Sequence, residues 1–175
     1  MHTKVVFRAA KAAVLNGAPA LRFNFRGVGL SQGQYDHGRG EQNDVVAALD
    51  FLSSRYPGVP IVLMGFSFGS AVGLAAGARD PRVCALAGLG LPVKSYDYSF
   101  LFNSPKPKLI LEGENDEYGP RAEVEALVAR FAPPKTLHWV QGADHFFKGH
   151  LDEVENVVGK FVKEAPRSPV VMRSS

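Results

Sequence analysis

Residues 59–81 read VPIVLMGFSFGSAVGLAAGARDP. An apolar run ends in a serine held between two glycines, and a run of small residues follows. An apolar segment without alternation suits a parallel strand covered on both faces. The small residues after it, Ser70, Ala71 and Gly73 first, read as a helix packed closely on that strand. Between the two, Gly65-Phe66-Ser67-Phe68-Gly69 has to reverse the chain sharply, and glycine serves where a Cβ would collide. Ser67 would then stand above the carboxyl edge of the sheet, where open α/β sheets bind their ligands. The plainer reading is a serine that caps the helix.

Outward from this stretch the chain alternates two hydrophobic periods. Upstream, an opening helix carries Lys4, Arg8 and Lys11 on one face and Val5, Ala9, Ala13 and Val14 on the other. The segment PALRFNF, 19–25, reads as a short strand, and Gly27, Gly29 and Gly33 mark a long turn after it. A helix starting near 42–44 follows, with Val45, Ala48, Leu49 and Leu52 as its apolar stripe. Downstream come strand VCALAGLG, strand KPKLILEG, helix PRAEVEALVARF, strand KTLHWV and helix LDEVENVVGKFV. Pro120 suits a first helical position. The last helix presents Val154, Val157, Val158, Phe161 and Val162 at helical spacing. The expectation is an α/β fold, a mainly parallel sheet with helices on both faces, in one domain over 1–165. Residues 166–175 read as a loosely attached tail.

Composition narrows the function classes. The 175 residues are 46% hydrophobic, enough for a packed core. Twenty basic and 17 acidic side chains give a formal charge of only +3, so nucleic acid is not implied as a partner. No apolar run is long enough to span a bilayer, so membrane is not implied either. Cys84 is the single cysteine, which excludes a disulfide framework within the chain and fits a reducing, cytoplasmic setting. The absence of acidic residues before Asp36 resembles an organellar transit peptide, but the amphipathic pattern of the first helix favours an ordinary surface helix.

A serine is a weak nucleophile at neutral pH and needs a base and an orienting acid on neighbouring strand ends. After KPKLILEG the loop ENDEYG offers Glu114, Asp116 and Glu117; after KTLHWV the loop QGADHFF offers His145. Asp116 lies deepest in its loop and is preferred, with Glu114 as runner-up. His138 inside a strand reads as a packed histidine and His150, opening the last helix, as a surface one. His2 and His37 precede Ser67 and would need another chain order.

These residues carry a resemblance. GFSFG, together with Asn24-Phe25-Arg26-Gly27-Val28-Gly29-Leu30-Ser31, which is similar to a D-x-R-G-x-G-x-S turn with asparagine in place of aspartate, resembles the α/β-hydrolase superfamily. The likeness covers nearly the whole chain and is strongest to small bacterial hydrolases with little lid, near the dienelactone hydrolase and serine peptidase branches. It implies Ser67 as nucleophile, Asp116 as acid, His145 as base and the Phe68 amide as one oxyanion donor. It implies a serine hydrolase of small ester, thioester or lactone substrates, with a small-molecule acyl group as partner and no cofactor or metal. In SYDYSFLF, Tyr96, Tyr98 and Phe100 are expected to wall the acyl group or else to pack in the core.

In this family a second oxyanion donor comes from a loop before the first helix, with which this chain begins, so the fold is expected to be shortened at its N-terminus. One donor fewer costs roughly 100- to 1000-fold in turnover, which admits a weakened or non-catalytic relative acting as a binding protein. The same shortening would leave ALRFNF without its neighbours. It would then pair directly with IVLMGF, remain an apolar edge that favours a homodimer, or belong to a protein that begins earlier. A dinucleotide-binding turn is the remaining alternative, but the glycines are spaced GxGxxxG and QYDHGRG intervenes before any helix.

Overall fold

The computed structural model describes residues 3–167. The expected tail over 166–175 therefore falls, apart from its first two residues, outside the described residues. Four strands, β1 (Ile61–Phe66), β2 (Val83–Leu89), β3 (Lys108–Gly113) and β4 (Lys135–Val140), form one parallel sheet in the order β1-β2-β3-β4. Five helices flank it: α1 (Lys4–Leu15), α2 (Arg39–Arg55), α3 (Phe68–Arg79), α4 (Arg121–Ala129) and α5 (Leu151–Glu164).

The side-chain alternation of the strands divides the core in two. Leu63, Leu86 and Ile110 point to one face, where they meet Val72 and Leu74 of α3, Val45 and Leu49 of α2, and Val124 and Val128 of α4. Ala87, Leu89, Leu109 and Leu111 point to the other, against Val5, Ala9 and Ala12 of α1 and Val154 and Val158 of α5. Every residue of β2 and β3 is buried, as the unbroken apolar runs require. Helix α3 is buried from Ser70 to Ala78, and its small residues let it approach β1 and β2 closely. No helix among the described residues is long and apolar enough to cross a membrane.

Three expectations are corrected. Residues 19–25 join no strand. A ladder needs strands roughly 4.8 Å apart, whereas a groove of about 190 Å³, lined by Ala18 to Arg22 and by Ile61, Val62, Met64, Gly65 and Phe66, lies between this segment and β1. The segment is held instead by its aromatic side chains, Phe23 on Phe25 at 5.4 Å between ring centroids and Phe25 on Phe68 at 5.6 Å. Second, α2 begins at Arg39, three residues before the expected start. The Glu41 carboxylate accepts the amides of Asp36 and Gly38, and the Asp36 carboxylate accepts that of Gly40, so polar residues wind the first turn before the apolar stripe starts. Third, Val14 is exposed, and Ala12 takes its expected place in the buried face of α1.

Candidate active site

Ser67 sits at the junction of β1 and α3 with φ 52° and ψ −126°, a conformation that side chains other than glycine rarely adopt. The junction is so tight that a Cβ on Gly65 would overlap the Gly69 carbonyl. The Ser67 amide donates to Leu89 O at 3.0 Å and its carbonyl accepts the Ser70 amide at 2.8 Å, which fixes the turn from both ends. Phe68 is the first residue of α3, so its amide has no intrahelical acceptor.

The partners come from the ends of β3 and β4. Ser67 Oγ lies 2.9 Å from His145 Nε2, and His145 Nδ1 lies 2.7 Å from Asp116 Oδ2. A carboxylate can only accept, so Nδ1 carries the ring proton and Nε2 is free to accept from the serine hydroxyl. Asp116 and His145 are both buried, while Ser67 is part-exposed. Asp116 Oδ1 accepts the amides of Tyr118 at 2.8 Å and Gly119 at 3.3 Å, which leaves Oδ2 for the histidine. The two loops are tied directly, because the Asn115 amide donates to Ala143 O at 2.9 Å.

The other candidate residues lie elsewhere. Glu114 accepts the Gly142 amide at 3.0 Å and lies 3.6 Å from Arg121, on the outer side of its loop. His138 is only part-buried and meets Glu153 at 2.8 Å; it is not the fully packed histidine its place in a strand suggested. His150 is the N-cap of α5. Pro120 likewise precedes the first turn of α4 as its N-cap. Tyr98 belongs to the core: it is 1% exposed and its hydroxyl shares a 2.8 Å hydrogen bond with Ser70 Oγ under α3. Burial pushes that hydroxyl's pKa far up. Phe100 stacks beside Tyr98 at 5.9 Å. Only Tyr96 of the three approaches the turn, 5.8 Å from the Phe68 ring.

The aromatic groups that border the histidine are others. Tyr118, Phe66 and Phe146 stand 4.7, 5.0 and 5.2 Å from the His145 ring, and Phe146 is exposed. The sequence held a simple signal for each: Phe66 precedes the serine, Phe146 follows the histidine, and Tyr118 lies two residues past the aspartate. The turn at 24–31 is anchored from behind. Arg26 places its guanidinium on the Asp44 carboxylate at 2.8 Å and donates its own amide to the same group, and Ser31 Oγ donates to Asn24 O.

The chain is similar to known proteins in sequence and in fold. A family model described as an alpha/beta hydrolase domain matches residues 1–160. An uncharacterized protein of Rickettsia prowazekii is 37% identical over 171 residues, 93% of this chain and 72% of that protein. Among solved structures, an alpha-beta serine hydrolase homologue from Coxiella burnetii is 38% identical with a TM-score of 0.85, covering 92% of this chain and 77% of that one. A lid-less member of the a/b serine hydrolases from Xanthomonas campestris is 32% identical with a TM-score of 0.86, covering 97% and 77%. With the family model spanning the sheet, all five helices up to residue 160, and the three strand-end loops, the chain belongs to the α/β-hydrolase family and is a hydrolase.

Proposed function

We propose that the protein is a serine hydrolase that cleaves small ester-type substrates, among them esters, thioesters and lactones, through an acyl-enzyme on Ser67. The observation that carries this reading is the unbroken chain from Ser67 Oγ through the His145 ring to Asp116 Oδ2, at 2.9 and 2.7 Å. As Ser67 Oγ attacks the carbonyl carbon, its proton passes to His145 Nε2, and Asp116 supports the imidazolium that results. The oxyanion receives the Phe68 amide. Collapse expels the alcohol or thiol, which takes the proton from Nε2. Water then repeats the sequence, giving up a proton to Nε2 as its oxygen attacks the acyl carbon, and Ser67 leaves with that proton. Tyr96 beside Phe68 at the serine turn, and Tyr118 and Phe146 beside the His145 ring, would bound a small acyl or leaving group. Fluorophosphonate labelling combined with turnover of short-chain aryl esters tests the reading. The probe is expected on Ser67, and Ser67→Ala is expected to abolish labelling and lower kcat about 10⁴-fold or more without loss of fold. Labelling at another serine would sink the assignment, and labelling of Ser67 without turnover of any ester would favour a binding protein.

A further inference from the structure

Beneath the triad one buried carboxyl takes no part in the proton relay. Glu112, next to last in β3, is fully buried. Its Oε1 accepts the Leu91 amide at 2.7 Å, while Oε2 has no hydrogen-bond partner. Two turns meet on it. The first follows β2: Gly90 donates its amide to Leu111 O at 2.9 Å, and Leu91 donates to Glu112, so two successive amides tie this turn to β3. Gly90, with φ 57°, lies flat against the histidine, and a Cβ there would come 3.2 Å from both Cε1 and Nδ1 of His145. The second turn holds the acid: a Cβ on Gly119 would come 3.1 Å from Glu112 Oε2 and 2.9 Å from Leu91 O. Gly119 is itself a donor to Asp116 Oδ1.

We propose that Glu112 is a positioning residue of the triad, clamping the Gly90–Leu91 turn to the end of β3 so that this turn supports the His145 ring and braces the Asp116 turn. The proposal rests on the acyl-enzyme reading of Ser67, His145 and Asp116. The titratable groups that face Glu112 are Asp116, from the turn after its own strand, and Tyr98, from the segment after β2; neither is a cation. Burial holds the Glu112 carboxyl well above the ordinary carboxylate range, with the Leu91 amide opposing and the charge of Asp116 adding. Burial therefore favours the neutral form of the Glu112 carboxyl. That matters for the chemistry, because a second negative charge next to Asp116 would favour the imidazolium and withdraw the base. A neutral carboxyl supplies an acceptor for Leu91 without that charge.

Three variants in the full chain test this: Glu112→Leu, Glu112→Asp and Glu112→Gln. Glu112→Leu removes the acceptor and is expected to lower kcat about 10- to 100-fold with KM changed by less than about 3-fold, as a displaced ring would. The downfield proton signal of the His145–Asp116 hydrogen bond should broaden in the same variant. Glu112→Asp, one methylene short of Leu91, should lose about 10-fold in kcat. Glu112→Gln restores the acceptor and should return kcat to within about 3-fold, with the midpoint of the rising limb of the pH profile moved by less than about 0.2. Wild-type kcat and an unbroadened signal in Glu112→Leu would overturn the clamp. So would wild-type kcat in Glu112→Asp should the leucine variant fail to fold. A midpoint lowered by about half a pH unit or more in Glu112→Gln would mean that a charge had been removed, and would overturn the neutral carboxyl. If the wild-type protein neither hydrolyses esters nor accepts the probe, the acyl-enzyme reading fails. The proton signal still reports in that case whether Glu112 positions the ring.

Discussion

Asp116 uses its two oxygens differently, and the difference decides what each neighbour can do. Oδ1 is occupied by two backbone amides of its own turn, so the carboxylate cannot rotate, and Oδ2 is left aimed at His145 Nδ1. An amide in its place could turn its nitrogen toward the ring and stabilise the wrong tautomer. Asp116→Asn is therefore expected to lower kcat about 10³- to 10⁴-fold while thermal unfolding stays cooperative. Glu114→Gln, two residues away, should change kcat by less than about 3-fold, since Glu114 faces Gly142 and Arg121 and not the histidine. Parallel steady-state measurements on short aryl esters check both. Comparable losses in the two variants would show that the loop as a whole, and not the Oδ2–Nδ1 bond, matters.

At the scale of elements, the strand–turn–helix unit at 61–79 is the most constrained part of the molecule. Gly65→Ala has to place a methyl into the Gly69 carbonyl, which neither backbone can yield without opening the turn. Loss of soluble, folded protein, or of all probe labelling at Ser67, is expected; a folded Gly65→Ala that labels at the wild-type rate would refute the tight junction. The turn at 24–31 depends on a polar anchor. The Arg26 guanidinium lowers the Asp44 pKa through its hydrogen bonds, against the effect of burial. A carboxyl with a depressed folded pKa contributes stability above its unfolded value of about 3.9 and loses it as pH falls through the folded value. Asp44→Ala should accordingly lower Tm at pH 7, and the difference from wild type should shrink progressively as pH falls below about 3.9, which thermal melts at pH 7 and at steps from about pH 4 to 2 check.

These elements also show what the sequence made legible. Strands β1 to β4 and the serine turn could be read because their signals are local: apolar runs of strand length, glycines at a sharp reversal, a histidine and an acid just past strand ends. Residues 19–25 have the composition of a strand, but strand formation needs a partner within reach, and no local pattern reports a groove. Tyr98 and Tyr96 look alike in sequence. Only the buried hydroxyl of Ser70, on a helix 28 residues away, draws one of them into the core. Glu112 was hidden for the same reason, since its function depends on an amide 21 residues distant.

Across the whole molecule the titratable groups are sorted by sheet end. The carboxyl ends of the strands carry Ser67, Asp116, His145 and Glu112, and the amino ends carry lysines, of which Lys106 and Lys108 are buried. Lys106 Nζ donates to Gly77 O and Asp80 O at the close of α3, and Lys135 Nζ donates to Ala129 O and Phe131 O at the close of α4, where a cation meets the negative end of a helix. Lys108, at the start of β3, gives its protons to Ser104 O and Lys106 O. Burial, with the charge of Lys135 adding, brings Lys108 down to about 8. Below that value the folded and unfolded chains both bind the proton. Between it and the unfolded value of about 10.4 only the unfolded chain does, so this lysine makes stability rise with pH across that window, by at most about 1.4 kcal/mol per pH unit. Cys84 and Tyr98 act in the opposite sense, because burial raises both and the folded chain keeps their protons longer. The contribution of Lys108 is thus isolated as a difference. The unfolding free energy of the wild type minus that of Lys108→Met, measured by urea titration from pH 7 to 10, is expected to be flat up to about pH 7.5 and then to climb toward pH 10, whatever its sign at neutrality. A difference that stays constant over the whole range would mean that Lys108 titrates alike in both states, and that the amino end of the sheet admits water to its ammonium group.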